Sequence, residues 1–240
     1  MKNPSADNPK FRKCVAYFWI VIVGVALFLP NYLFIPYLHL NESCPLSPFC
    51  SSISTPWGVF TSLFIFDGWS NLYAFIMWFA FLFLITVFMS ADLVEDYTKF
   101  IALTLFPISI ISNGIELIIW AVQGITALSY GASTLTYVFL GVLFGLSASV
   151  IVRNINERSR KDLVVLTNLV VFCGIATGAL LYPSTLFSIA PHVDYRVHEF
   201  GFLIGTIAML VYAKLAIFGK GRGSLSFIKS MHMLSQQKTL

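Results

Sequence analysis

Six apolar stretches organise this chain, at residues 14–36, 68–90, 100–123, 132–152, 163–182 and 198–218. Each is close to the roughly 20 residues that carry a helix across about 30 Å of hydrocarbon. Inside a bilayer a backbone amide finds no water, so such stretches span as helices that satisfy their own hydrogen bonds. The composition agrees: 58% of residues are apolar and 11% charged, against about 25% charged in soluble domains. The expectation is an all-α, polytopic membrane protein with six transmembrane helices. Residues 1–13 form an N-terminal segment, 14–218 the membrane domain and 219–240 a tail.

Basic residues set the orientation. The first apolar run follows Lys2, Lys10, Arg12 and Lys13, and at about 23 residues it exceeds the 7–15 of a signal-peptide core, so it is expected to stay as an anchor. With the N-terminus inside, every one of the 15 Lys and Arg residues except Arg196 falls on the cytoplasmic side, as the positive-inside rule requires. Both termini are therefore expected in the cytoplasm, with the chain in the plasma membrane. Topology accounts for the net charge of +4, so it gives no reason to invoke a nucleic acid.

Cys44 and Cys50 share the first outer loop, where an oxidising environment would allow a disulfide, whereas Cys14 and Cys173 lie at or within the membrane. Asn41-Glu42-Ser43 in the same loop fits a glycosylation acceptor, a triplet common by chance. Residues 57–66 read as an interfacial segment before Asp67-Gly68, with Trp57 and Trp69 suited to headgroup depth.

In this orientation spans four and six are parallel, each running from outside to inside. Ser133 and His198 then lie in their first turns at matching depth. On span four, Ser133, Tyr137, Gly141, Gly145 and Ser149 recur every four residues and share a face. On span six, Gly201 and Gly205 form a small-xxx-small pair that lets two helix backbones approach closely in lipid. Packing the two faces together brings His198 toward Ser133. Taken singly, each feature has a plainer reading, because small faces usually serve packing and a membrane serine usually bonds its own backbone. Their conjunction makes Ser133 a candidate nucleophile and His198 its candidate base.

Gly131-Ala132-Ser133-Thr134 with Tyr137 and Gly141, followed by His198, Gly201 and Gly205, resembles the rhomboid intramembrane serine proteases. Rhomboids carry Gly-x-Ser-Gly at the start of span four, a tyrosine four residues later, and His-x-x-Gly-x-x-x-Gly on span six. The resemblance extends over the chain in topology, with motif matches confined to spans two, four and six. It implies a rhomboid-like bundle in which a Ser133/His198 dyad cuts a membrane-spanning substrate protein near the outer face. Tyr137 would stack on the histidine, while Asn71, Gly131 and the Ser133 N–H would support the oxyanion.

The chain departs from the family at three motif positions and lacks the Trp-Arg pair common in the family's first loop. Aligned on Trp69, Asn71 stands where span two usually carries a histidine, Phe75 where it carries an asparagine, and Thr134 replaces the second glycine of the serine motif. Losing one oxyanion donor commonly costs on the order of 100- to 1000-fold in rate. The alternative is therefore a catalytically inactive rhomboid-like protein that binds transmembrane helices. A transporter is disfavoured because the two halves show no evident repeat. Asn113 and Glu116 on span three read as interhelical hydrogen-bonding groups, with a proton-relay role as the other reading of Glu116. No Cys/His metal spacing, phosphate loop or cofactor motif is present in the sequence.

Overall fold

The computed structural model describes residues 9–34, 50–64, 69, 72–73, 75–77, 80, 91–125, 129–130, 133–157, 162–187 and 195–217. Of these residues, 91% are helical. In chain order the elements are α1 (Pro9–Phe34), β1 (Cys50–Ser51), α2 (Gly58–Thr61) running into a 3-10 turn at Ser62–Phe64, α3 (Ala91–Gln123), β2 (Ser129–Tyr130), α4 (Ser133–Glu157), α5 (Asp162–Leu181), α6 (Pro183–Leu186) and α7 (Tyr195–Tyr212). A π-helical turn at Ala213–Ile217 extends α7.

Among the described residues three helices are long and apolar enough to cross a membrane: Phe100–Gln123, Ser133–Val152 and Tyr195–Leu215. Val165–Leu181 is a shorter apolar helix. Large apolar side chains point outward from the helices, among them Leu103, Ile118, Val122, Leu180 and Leu215, a surface suited to lipid tails.

Helix α4 sits at the centre. Within its apolar stretch 72% of the residues are buried, against 39% in each of the other two candidate spans. Its most extensive partner is α7; α3 and α5 also pack on it, and α1 leans on α3. The core runs through Leu135, Val138, Leu143 and Leu146 of α4, joined by Leu105 of α3, Leu72, and Met209 of α7.

Two features go beyond the sequence expectation, although the expected third span coincides with Phe100–Gln123. Helix α3 is 33 residues long and begins at Ala91, because Asp92, Glu95, Asp96 and Lys99 continue the helix ahead of its apolar part instead of breaking it. The helix ends where Gly124 adopts φ 67° and the Ile125 N–H donates to the Trp120 carbonyl at 2.9 Å. That left-handed glycine with its long-range amide bond is a Schellman-type stop.

The second difference is an addition to the all-α expectation. β1 and β2 pair antiparallel, with Cys50 opposite Tyr130 and Ser51 opposite Ser129. Residues 57–64, expected as an interfacial segment, fold as α2 and the 3-10 turn, with Trp57 and Phe60 exposed and Ser62 and Leu63 buried. Gly58 lies so close to the Cys50 carbonyl that a Cβ there would collide with it. Cys50 itself is buried and disulfide-bonded, whereas Cys14 and Cys173 are free; Cys44 falls outside the described residues.

Candidate active site

The seam between α4 and α7 is built from glycine. A Cβ on Gly141 would strike the Phe202 carbonyl, and one on Gly205 would lie 2.5 Å from the Val138 carbonyl. A Cβ on Gly145 would sit 2.8 Å from the Thr206 carbonyl, and one on Gly201 would come 3.2 Å from Val138 Cγ2. Backbone therefore lies against backbone, and Thr206 Oγ1 shares its hydrogen between the Phe202 carbonyl of its own helix at 2.8 Å and the Gly141 carbonyl across the seam at 3.1 Å. Hydrogen bonds of this kind between helices supplement packing where the hydrophobic effect is absent.

This close approach brings the N-terminal ends of the two helices together. Ser133 is the first residue of α4, and His198 lies in the first turn of α7. Ser133 Oγ is 2.9 Å from His198 Nε2. On the other side of the ring, His198 Nδ1 is 2.8 Å from the Phe187 carbonyl oxygen. A carbonyl only accepts, so Nδ1 carries the hydrogen and Nε2 is left as an acceptor for the serine O–H. Phe187 is set for this by α6, whose last turn closes with the Phe187 N–H donating to the Pro183 carbonyl at 2.8 Å.

Tyr137, one turn below Ser133, stacks on the imidazole at 4.0 Å between ring centroids. Its ring also meets Phe187 at 6.0 Å. Carbonyl and tyrosine together fix the imidazole in position and tilt. His198 is buried and Ser133 half-buried, so the serine is the more accessible of the two.

A second polar chain borders the site. Buried Thr134 donates its hydroxyl hydrogen to Asn113 Oδ1 at 2.8 Å. Asn113 Nδ2 in turn donates to the Val59 carbonyl of α2 at 3.2 Å. The acceptor-only carbonyl fixes which way the amide faces. Thr134, which stands where the resembling family has a second glycine, thus has a hydrogen-bonding partner 21 residues away. That Asn113 would bond between helices was expected from its polarity in an apolar stretch; its partner Thr134 and the role of the Phe187 carbonyl carry no sequence signal.

Other candidates stand as follows. Gly141, Gly145, Gly201 and Gly205 all lie in the α4–α7 seam. Phe75 is helical and buried in the core. Glu116 is buried in the last third of α3, three residues after Asn113. Asn71 and Gly131 fall outside the described residues. Among the described residues no group of three or more His, Cys, Asp or Glu side chains is arranged to hold a metal ion. Comparison with protein-family models, curated proteins and solved structures gives no match.

Proposed function

We propose that the chain is a rhomboid-like intramembrane serine endopeptidase, with Ser133 as nucleophile and His198 as general base and acid. The observation that carries this reading is the 2.9 Å contact between Ser133 Oγ and an imidazole Nε2 left as acceptor by the Nδ1 bond to Phe187. A serine hydroxyl becomes an effective nucleophile when an adjacent base takes its proton in the attack.

In the proposed reaction Ser133 Oγ attacks the scissile carbonyl carbon as its proton passes to His198 Nε2. The C–N bond then breaks, Nε2 returns that proton to the departing amine, and an acyl-enzyme ester remains on Ser133. A water molecule loses a proton to Nε2 and attacks the ester. The acyl–oxygen bond breaks, the carboxyl product leaves, and Ser133 regains its proton. The oxyanion is stabilised by N–H groups of the first turn of α4, which have no acceptor within the helix, and by the Asn71 amide.

In full, the reading is a multi-pass plasma-membrane protein with six spanning helices and cytoplasmic termini. Its partners are the lipid bilayer and a transmembrane protein substrate cut near the outer face. It needs no cofactor or metal for this chemistry.

The test is fluorophosphonate labelling of the purified protein in detergent, comparing the wild type with Ser133→Ala and His198→Ala. Labelling lost in both variants supports the hydrolase reading. A well-folded wild type that takes no label points to the second reading, a catalytically inactive binder of transmembrane helices. Buried, apolar Phe75 favours that alternative, because it offers no donor where the resembling family has an asparagine.

A further inference from the structure

We propose that the outer segment 50–64 works as a clamp that positions Ser133, gripping the chain on both sides of it. This inference rests on the reading of Ser133 as nucleophile. On the N-terminal side, β2 ends at Tyr130, three residues before the serine, and is paired to β1. On the C-terminal side, Thr134 is joined through Asn113 to the Val59 carbonyl. Both attachments lead to the same segment.

That segment is internally braced. Thr55 Oγ1 donates to the Cys50 carbonyl at 2.9 Å, and the Thr55 N–H donates to Ser52 Oγ at 3.1 Å. Gly58 packs directly on the Cys50–Ser51 backbone, and Cys50 is held by its disulfide. The first residues of a helix lack intrahelical acceptors for their N–H groups and fray most readily, yet here they carry both the nucleophile and the proposed oxyanion donors. An outside anchor on each flank removes that freedom. In well-oriented reactions a misplacement of about 1 Å costs roughly 100-fold in rate, so a tether one residue from the nucleophile has leverage on it. Asn113 and Thr134 are accordingly positioning residues: they act on Ser133 through the backbone and make no bond to substrate.

The experiment uses the full-length protein in detergent and a fluorophosphonate probe, following the maximal labelling rate and the half-saturating probe concentration separately. Thr134→Val removes the hydroxyl at nearly constant shape. It is expected to lower the maximal rate roughly 10- to 100-fold with the half-saturating concentration unchanged. Thr134→Ser keeps the hydroxyl and should restore most of the rate, which a purely steric role for threonine would not produce. Asn113→Ala should slow labelling similarly, and Asn113→Ala combined with Thr134→Val should be no slower than either alone. Wild-type rates in a folded Thr134→Val, or equal slowing in Thr134→Val and Thr134→Ser, would overturn the clamp and leave the dyad standing. A folded wild type that takes no label removes the dyad and the clamp together.

Discussion

Tyr137 lies flat against His198, their ring centroids 4.0 Å apart and their planes 22° from parallel. With the Phe187 carbonyl holding Nδ1 at 2.8 Å, the imidazole is fixed at an edge and a face. An aromatic ring and a backbone carbonyl thus orient this imidazole, a task that falls to a carboxylate in Ser-His-Asp triads.

Tyr137 should therefore matter through its ring. Stacked aromatic pairs are worth about 0.5–1.5 kcal/mol beyond area burial. Tyr137→Phe is expected to label with fluorophosphonate at close to the wild-type rate, and Tyr137→Ala roughly 2- to 10-fold more slowly. If Tyr137→Phe falls as far as Tyr137→Ala, stacking is not what the residue contributes.

The seam glycines should rank by what surrounds them. Gly141→Ala and Gly205→Ala meet backbone carbonyls that cannot rotate away, and overpacking of this kind costs about 1–3 kcal/mol. Gly201→Ala meets nothing nearer than the Val138 side chain at 3.2 Å, a milder approach, and should cost less. Gly174 has nothing within 4 Å of an added Cβ; Gly174→Ala should be neutral or gain up to about 1 kcal/mol from helix propensity. Thermal unfolding in detergent reads this order directly, and a Gly141→Ala as stable as Gly174→Ala would contradict the seam as described.

Reduction should loosen the segment at residues 50–64 before it touches the helices. Losing the disulfide at Cys50 is expected to cost on the order of 2 kcal/mol. The wild type with reductant should then melt like untreated Cys50→Ser, and Cys50→Ser should show no further response. A melting temperature indifferent to reductant would mean that the bond leaves stability unchanged.

The residues carrying the site were legible where the signal is periodic. Four-residue spacing of Ser133, Tyr137, Gly141 and Gly145, against Gly201 and Gly205, announces two faces able to meet, and the structure brings those faces into contact with Ser133 and His198 at one end. What was not legible has no period. Two residues at Cys50–Ser51 and two at Ser129–Tyr130 are too few for alternation to mark a strand pair. A backbone carbonyl such as that of Phe187 is the same atom at every position. Thr134 looked like a departure from a pattern, because its value lies in Asn113, which the sequence holds 21 residues away. The apolar part of α3 was legible, Phe100–Gln123 coinciding with the expected third span, whereas its extension back to Ala91 is rich in charge and carries no apolar period.

The glycine seam has a further consequence for how anything enters. Where main chain rests on main chain, there are no side-chain torsions to absorb a displacement, so α4 and α7 have little freedom to part and Ser133 and His198 travel as one body. On the proposed reading, a substrate segment would have to reach Ser133 without α4 and α7 parting, so the spacing between the two reacting side chains is kept as the guest arrives.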